Sequence, residues 1–181
     1  RSLTIAYTEP GSPAASAGLQ RGDILLEING VDFINDGSQA GVNILNAALF
    51  PATTGEQHNF TLQSVAGNAR QVTLTSANVA SSPVQNTQVL DHNGFRTGYL
   101  QFNSHIAMAQ EQLIDAITQF RNANINELVI DLRYNGGGLL ALASQLGYMV
   151  AGNNNIQGRI FEQMQFNDKT SRPSPTPFYS S

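Results

Sequence analysis

Residues 127–150 read ELVIDLRYNGGGLLALASQLGYMV, and the three consecutive glycines inside that stretch decide how the second half of the chain is read. ELVIDL (127–132) is a near-continuous apolar run, the pattern of a strand buried on both faces of a parallel sheet. LLALASQLGYMV (139–150) is apolar on more than one side and predicts a buried helix. Gly136, Gly137 and Gly138 therefore lie between the C-terminal end of a buried strand and the start of a helix. Consecutive glycines cost backbone entropy, which is tolerated where the chain turns tightly or approaches something closely. Ligands often bind at this edge of α/β sheets. Two readings stay open on local grounds. One is a tight turn with close packing; the other is a row of N–H donors for an anion or a developing oxyanion. GxGxxG and GxxxxGK[ST] are absent, so no nucleotide loop is expected.

Upstream, TGYLQFNS (97–104) starts a strand, with Tyr99 and Gln101 on one face and Leu100 and Phe102 on the other. Ile106, Leu113, Ile114, Ile117 and Phe120 form one stripe and predict a helix over 106–121, with Asn103 or Ser104 as its cap. Strand, helix and strand in this spacing predict a right-handed crossover between parallel strands. Downstream, NNNI (153–156) reads as a turn and GRIFEQMQF (158–166) as a strand. NDKTSRPSPTPFYSS (167–181) is polar and proline-rich, with no buried element expected.

The first part of the chain has a different grammar. LTIAYT (3–8) and ILLEI (24–28) read as strands, Asn29-Gly30 as a tight turn and VDF (31–33) as a return strand. Val42, Leu45 and Leu49 predict a helix over 39–49, stopped by Pro51. HNFTLQSV (58–65) and ARQVTLTSA (69–77) flank Ala66-Gly67-Asn68 as a hairpin. Leu19 plugs the core, Gly22 permits a tight turn and Asp23 accepts local backbone N–H bonds. This order fits a partly open barrel with a helix across one opening. VASSPVQNTQVLDHNGFR (79–96) has little periodicity and reads as a linker, with His92 in an exposed turn.

Composition narrows the function classes. Only 12% of residues are charged, the net charge is −4 and there is no cysteine. The nine basic residues are scattered, so no nucleic-acid footprint is present. No apolar run approaches the ~20 residues that span a bilayer. His58, His92 and His105 are far apart and make no HxxxH or HExxH spacing, so neither a metal site nor a cofactor is expected.

Two resemblances rest on these motifs. GSPAASAGLQRGDILLEINGVD (11–32) resembles the central segment of a PDZ domain of the bacterial protease-associated kind, and the likeness covers residues 3–78. GYLQFNS, an amphipathic helix and then ELVIDLRYNGGGLLALASQLGYMV resemble the first part of the catalytic domain of carboxyl-terminal processing (tail-specific) serine proteases. Asp131, Leu132, Arg133, Asn135, Gly137 and Gly138 fall on that family's strand-to-glycine-loop signature. A PDZ domain just upstream is also that family's arrangement. The organisation implied is a PDZ domain over 1–78 without its first strand and carboxylate-binding loop, a linker over 79–96 and the N-terminal part of a protease domain over 97–181. The fold implied is mixed α/β: a PDZ-like partly open β-barrel with a helix, then the first part of a crotonase-like core.

The resemblance implies cleavage of polypeptides, engaged through unstructured C-termini, by a serine nucleophile and a lysine general base. It places a backbone donor for the oxyanion at Gly137 or Gly138, with Asp131, Arg133 and Asn135 orienting the loop. Val42 and Leu45 are either a wall of a peptide groove or ordinary core. It also implies a bacterial envelope or periplasmic setting, or a plastid lumen. Ser104, Ser144, Ser180 and Ser181 do not sit where the family's nucleophile belongs, and Lys169 is the only lysine. The expectation is that residues 1–181 are inactive alone. Three alternatives remain: a non-catalytic peptide-binding relative, an apolar-ligand-binding relative of the interphotoreceptor retinoid-binding branch, and a crotonase-type acyl-CoA enzyme.

Overall fold

Ser81 marks a division into two compact units in the computed structural model, which describes residues 3–169 and 174–180. The first unit is an antiparallel sheet ordered β1(Leu3–Thr4), β2(Ile24–Ile28), β4(Gln57–Gln63), β5(Ala69–Thr75), with β3(Val31–Asp32) paired to β2. Asn29 and Gly30 both take positive φ, 50° and 78°, so the β2–β3 turn is the left-handed type that Asn-Gly favours. Helix α1(Pro13–Ser16) begins with Pro13 in its first turn and Ser12 Oγ accepting from the Ala15 N–H. Helix α2(Gln39–Leu49) is capped the same way, with Ser38 Oγ accepting from the Gly41 N–H. Leu19, Leu25, Ile28, Leu45, Ala48 and Leu62 form the core.

The GLQRGD turn is held as its residue types suggest. Asp23 is buried and its carboxylate accepts from the Gln20 N–H at 3.1 Å. Arg70, from β5, donates to the Ala17 and Gly18 carbonyls and to Asp23 Oδ2 at 2.9 Å. Gly22 has φ 95°, and a Cβ there would meet Val65 Cγ2 at 2.6 Å.

The second unit is a sheet ordered β6(Val84–His92), β7(Phe95–Phe102), β8(Glu127–Asp131). β7 and β8 are parallel, with Leu100 opposite Ile130 and Gln101 opposite Asp131. Helix α3(Ala109–Asn122) makes the crossover between them, as the sequence predicts. Leu100, Phe102, Leu113, Phe120, Leu142 and Leu146 are the large members of this core. Gly98 lets α3 lie close: a Cβ there would stand 2.9 Å from Phe120 Cγ and from Ile125 Cδ1. Helix α4(Leu140–Ala151) follows the glycine loop, then short α5(Asn153–Ile156) and β9(Ile160–Glu162).

Five expectations change. Residues 153–156, read as a turn, form the short helix α5. Residues 84–92, read as linker, form strand β6, paired along most of its length with β7 across an Asn93-Gly94 turn with φ 51° and 84°. The first residue of α3 is Ala109, after Met108, and neither Asn103 nor Ser104 caps it. The stretch read as a tail without buried structure contributes β10(Thr176–Pro177), paired antiparallel with β9. Phe178 packs edge-on against Phe161, with ring centroids 5.3 Å apart. Ser144, fully buried on α4, ties this segment down: its Oγ donates to the Pro177 carbonyl and accepts from the Tyr179 N–H, both at 2.9 Å. Residues 170–173 and 181 of that stretch lie outside the described residues. Finally, α4 is less enclosed than its composition suggests, because Leu140 and Val150 remain exposed, as does Leu139 just before it.

Candidate functional site

The C-terminal ends of β7 and β8 lie side by side because the strands are parallel. The segments leaving them, 103–108 and 132–139, are thereby brought together, which no spacing along the chain records. His105 donates its backbone N–H to the Gly137 carbonyl at 3.0 Å, and its own carbonyl accepts from the Leu139 N–H at 2.8 Å. The glycine loop is thus stitched to the end of β7 by a pair of backbone hydrogen bonds.

Asn135 is the hub of the loop. Its Nδ2 donates to the Phe102 carbonyl at 2.9 Å, and its Oδ1 accepts from the Gly137 N–H at 2.8 Å. His105 Nδ1 stands 2.9 Å from the same Oδ1. Gly137 and Gly138 take φ of 91° and 136°, a region where a side chain is strained. Space forbids a side chain at Gly138 as well: a Cβ would lie 2.4 Å from the His105 carbonyl oxygen. A Cβ at Gly136 or Gly137 would meet nothing. The Gly137 N–H is committed to Asn135, whereas the Gly138 N–H has no partner among the described residues.

Asp131 and Arg133 form the base of the loop. Asp131 is buried, and its carboxylate accepts the Arg133 N–H at 3.1 Å, the Arg133 guanidinium through Nε and an Nη, and the Tyr99 hydroxyl at 2.8 Å. The guanidinium, and then the tyrosine, hold the Asp131 carboxyl well below the usual carboxylate range. Arg133 is raised in turn, above all by its hydrogen bond to Asp131. Burial, followed by the Asp131 contact, pushes the Tyr99 hydroxyl above its ordinary value of 10.0. The carboxylate is therefore ionised at neutral pH and pins the first residues after β8.

A second polar group sits near this edge. Asn86 Nδ2 donates to Gln101 Oε1, and Gln101 Nε2 donates to Asn103 Oδ1 at 2.8 Å. Gln101 and Asn103 are buried, and Asn103 Nδ2 has no partner among the described residues. In the sequence Asn103 reads only as a cap candidate. Its burial depends on packing that periodicity does not reveal.

The other expected residues lie elsewhere. Leu45 belongs to the core of the first unit, and Val42 is half-buried one turn away on α2. Ser144 is buried in hydrogen bonds to the chain's own backbone. Lys169 is exposed. His92, expected in a turn, is the exposed last residue of β6, paired with Phe95. No group of His, Cys, Asp and Glu that could hold a metal ion occurs among the described residues.

Comparison with known proteins agrees with both halves of the chain. Residues 96–176 match the model of peptidase family S41, and residues 4–40 match a PDZ-domain model. A carboxyl-terminal-processing protease of Picosynechococcus sp. is 33% identical over 139 residues, 76% of this chain and 32% of that protein. A chloroplastic carboxyl-terminal-processing peptidase 3 of Arabidopsis thaliana is 27% identical over 143 residues, 76% of this chain and 27% of that protein. Among solved structures, one described as an S41 protease of Bacteroides fragilis superposes with a TM-score of 0.69 at 27% identity, over 98% of this chain and 47% of that one. The chain thus spans about a third of the length of the curated relatives it matches. The first unit is a PDZ-like partly open sheet and the second a mixed α/β protease-like core. With the two matches in the order that the family shows, the chain belongs to the carboxyl-terminal-processing serine proteases of family S41, and it carries a PDZ domain followed by part of the catalytic domain.

Proposed function

We propose that the protein is a serine-type endopeptidase that cleaves polypeptides near their C-termini, and that residues 135–139 supply one half of its oxyanion hole. The observation that carries this is the state of the two glycine amides. The Gly137 N–H is spent on Asn135, while the Gly138 N–H, at the C-terminal edge of a parallel sheet, has no partner among the described residues. A peptide carbonyl becomes an anion when attacked, and a preorganised N–H favours that state over the ground state. Gly138 is therefore assigned as the donor. Gly137 shapes the turn with Asn135, and Asp131 with Arg133 anchors its base.

A serine nucleophile with a lysine base completes the mechanism. Neither role falls on the serines considered above or on Lys169, which is exposed. A dyad needs both groups in hydrogen-bond reach and the lysine held neutral by burial. The core belongs in this reading to the crotonase-like class. The PDZ unit recognises unstructured C-termini of substrates, in a compartment outside the cytoplasm. No helix among the described residues is long and apolar enough to cross a membrane.

The test is cleavage of an unstructured polypeptide with an apolar free C-terminus, followed by mass spectrometry, with the full natural polypeptide beside residues 1–181. Cleavage by the full polypeptide alone is the expected result. Turnover by residues 1–181, abolished by substituting one of their own serines, overturns the assignment of the dyad. Absence of cleavage by both, with folding intact, identifies a binding-only relative.

A further inference from the structure

We propose that His105 is a positioning residue of the oxyanion loop, held as the Nδ1–H tautomer by Asn135. The inference rests on the reading of residues 135–139 just given, but its structural half stands on hydrogen-bond logic alone.

Orientation of the Asn135 amide is set twice. Its 2.9 Å contact with the Phe102 carbonyl requires a donor at that position, because a carbonyl only accepts. Its 2.8 Å contact with the Gly137 N–H requires an acceptor, because an amide N–H only donates. Nδ2 and Oδ1 are thereby assigned by two independent backbone groups. The atom that faces His105 Nδ1 at 2.9 Å is this same Oδ1. A carbonyl oxygen cannot donate, so the hydrogen between them belongs to Nδ1. A neutral imidazole carries one ring N–H. Nε2 is therefore the unprotonated nitrogen. Protonating the ring adds a hydrogen at Nε2 and leaves the Asn135 contact in place.

His105 then grips the loop at three points. The side chain donates to Asn135, the backbone N–H to the Gly137 carbonyl, and the carbonyl accepts from Leu139. The ring is seated tilted against Phe102, with centroids 4.4 Å apart. Asn135 Oδ1 receives two hydrogens, from His105 and from Gly137, so the Gly137 peptide is tied to the imidazole through one oxygen. The Gly138 N–H shares its peptide plane with the Gly137 carbonyl, which the His105 N–H holds, and the plane before it is held through Asn135, so His105 restrains both sides of the Gly137 Cα. Backbone bonds alone leave the Asn135 side chain one restraint short.

Two measurements on the full natural polypeptide test this. In 15N-histidine spectra, the expected signature for His105 is a protonated Nδ1 and an unprotonated Nε2 in the neutral ring. Amide exchange at Gly137 is expected to accelerate in His105→Ala and in His105→Gln, whose side-chain nitrogen falls at the Nε2 position. It is expected to stay slow in His105→Asn, whose nitrogen falls at the Nδ1 position. The Nε2–H tautomer, or equal exchange in all variants, overturns the clamp. Neither result requires proteolysis, so both stand or fall apart from the peptidase reading. In peptide cleavage, His105→Ala is expected to lower kcat about 10- to 100-fold with KM little changed, and His105→Asn to recover most of it. An intact clamp with an unaltered kcat in His105→Ala overturns the positioning role.

Discussion

Single residues decide whether the glycine loop has its shape. Gly138 tolerates no Cβ, both because of its φ and because the His105 carbonyl oxygen occupies the space. Gly138→Ala must therefore shift the loop, and kcat for peptide cleavage by the full polypeptide is expected to fall by at least about 100-fold, the scale of losing one oxyanion donor. Steady-state kinetics check this; a variant of unaltered kcat removes Gly138 from the mechanism. Asp131 makes a pH prediction. Its native carboxyl lies below the unfolded value of about 3.9, held there by Arg133 and Tyr99. The stability it contributes is thus present above about pH 4 and is lost as the pH falls toward the lowered native value. Thermal midpoints measured on lowering the pH from 6 to about 2 should fall more steeply for the wild type than for Asp131→Asn. Parallel curves refute the pairing. Leu19, Gly22, Asp23 and the Asn29-Gly30 turn were legible one by one, because turn chemistry acts over three or four residues.

Elements carry a different lesson. β7, α3, β8 and α4 follow from apolar period and from the position of the glycines, since burial on a helix stripe or a sheet interior leaves a repeating trace. β6 left none. Its residues alternate weakly, most of its C-terminal half is exposed, and it carries Gln, Asn, Thr and Asp where a half-buried strand usually carries aliphatics. The Asn93-Gly94 pair was the surviving clue, because that dipeptide between two runs is a strong hairpin signal. β10 is a two-residue strand whose place depends on Ser144 and on the Phe161–Phe178 contact, both supplied by distant segments. Ser144→Ala removes two hydrogen bonds and strands the Tyr179 N–H and the Pro177 carbonyl. The expected cost is about 1–3 kcal/mol in denaturant unfolding, with faster amide exchange at Tyr179. An unaltered exchange rate there contradicts the strap.

At the scale of the whole molecule there are two cores with no member in common. Leu25 is buried in the first unit and Leu113 in the second. Truncation of either to alanine is expected to cost about 2–5 kcal/mol through lost burial and the cavity left behind. Because the clusters share no residue, the double variant should lose the sum of the single losses to within about 0.5 kcal/mol. Equilibrium unfolding of the three variants measures this, and a coupling well above that figure shows that the two clusters are energetically linked. The PDZ unit and the protease-like unit each follow their own sequence grammar, short turn-rich strands in one and a strand–helix–strand crossover in the other. The strand at 84–92 places the division between the two units at Ser81, upstream of the end of the expected linker.

By itself the sequence determined what acts locally: the turn at 29–30, the stripe of α3, the buried run of β8 and the need for glycine after it. These depend on backbone sterics and periodic burial, both of which are written in residues a few positions apart. Only the tertiary structure decided that Asn135 takes the Gly137 amide, that it faces His105 thirty positions away, that Tyr99 completes the Asp131–Arg133 pair and that Ser144 holds the last described strand. Each of those is a contact made by parallel pairing of β7 with β8 or by a segment folding back on α4. Hydrogen bonds reach about 3 Å in space, whatever the distance along the chain.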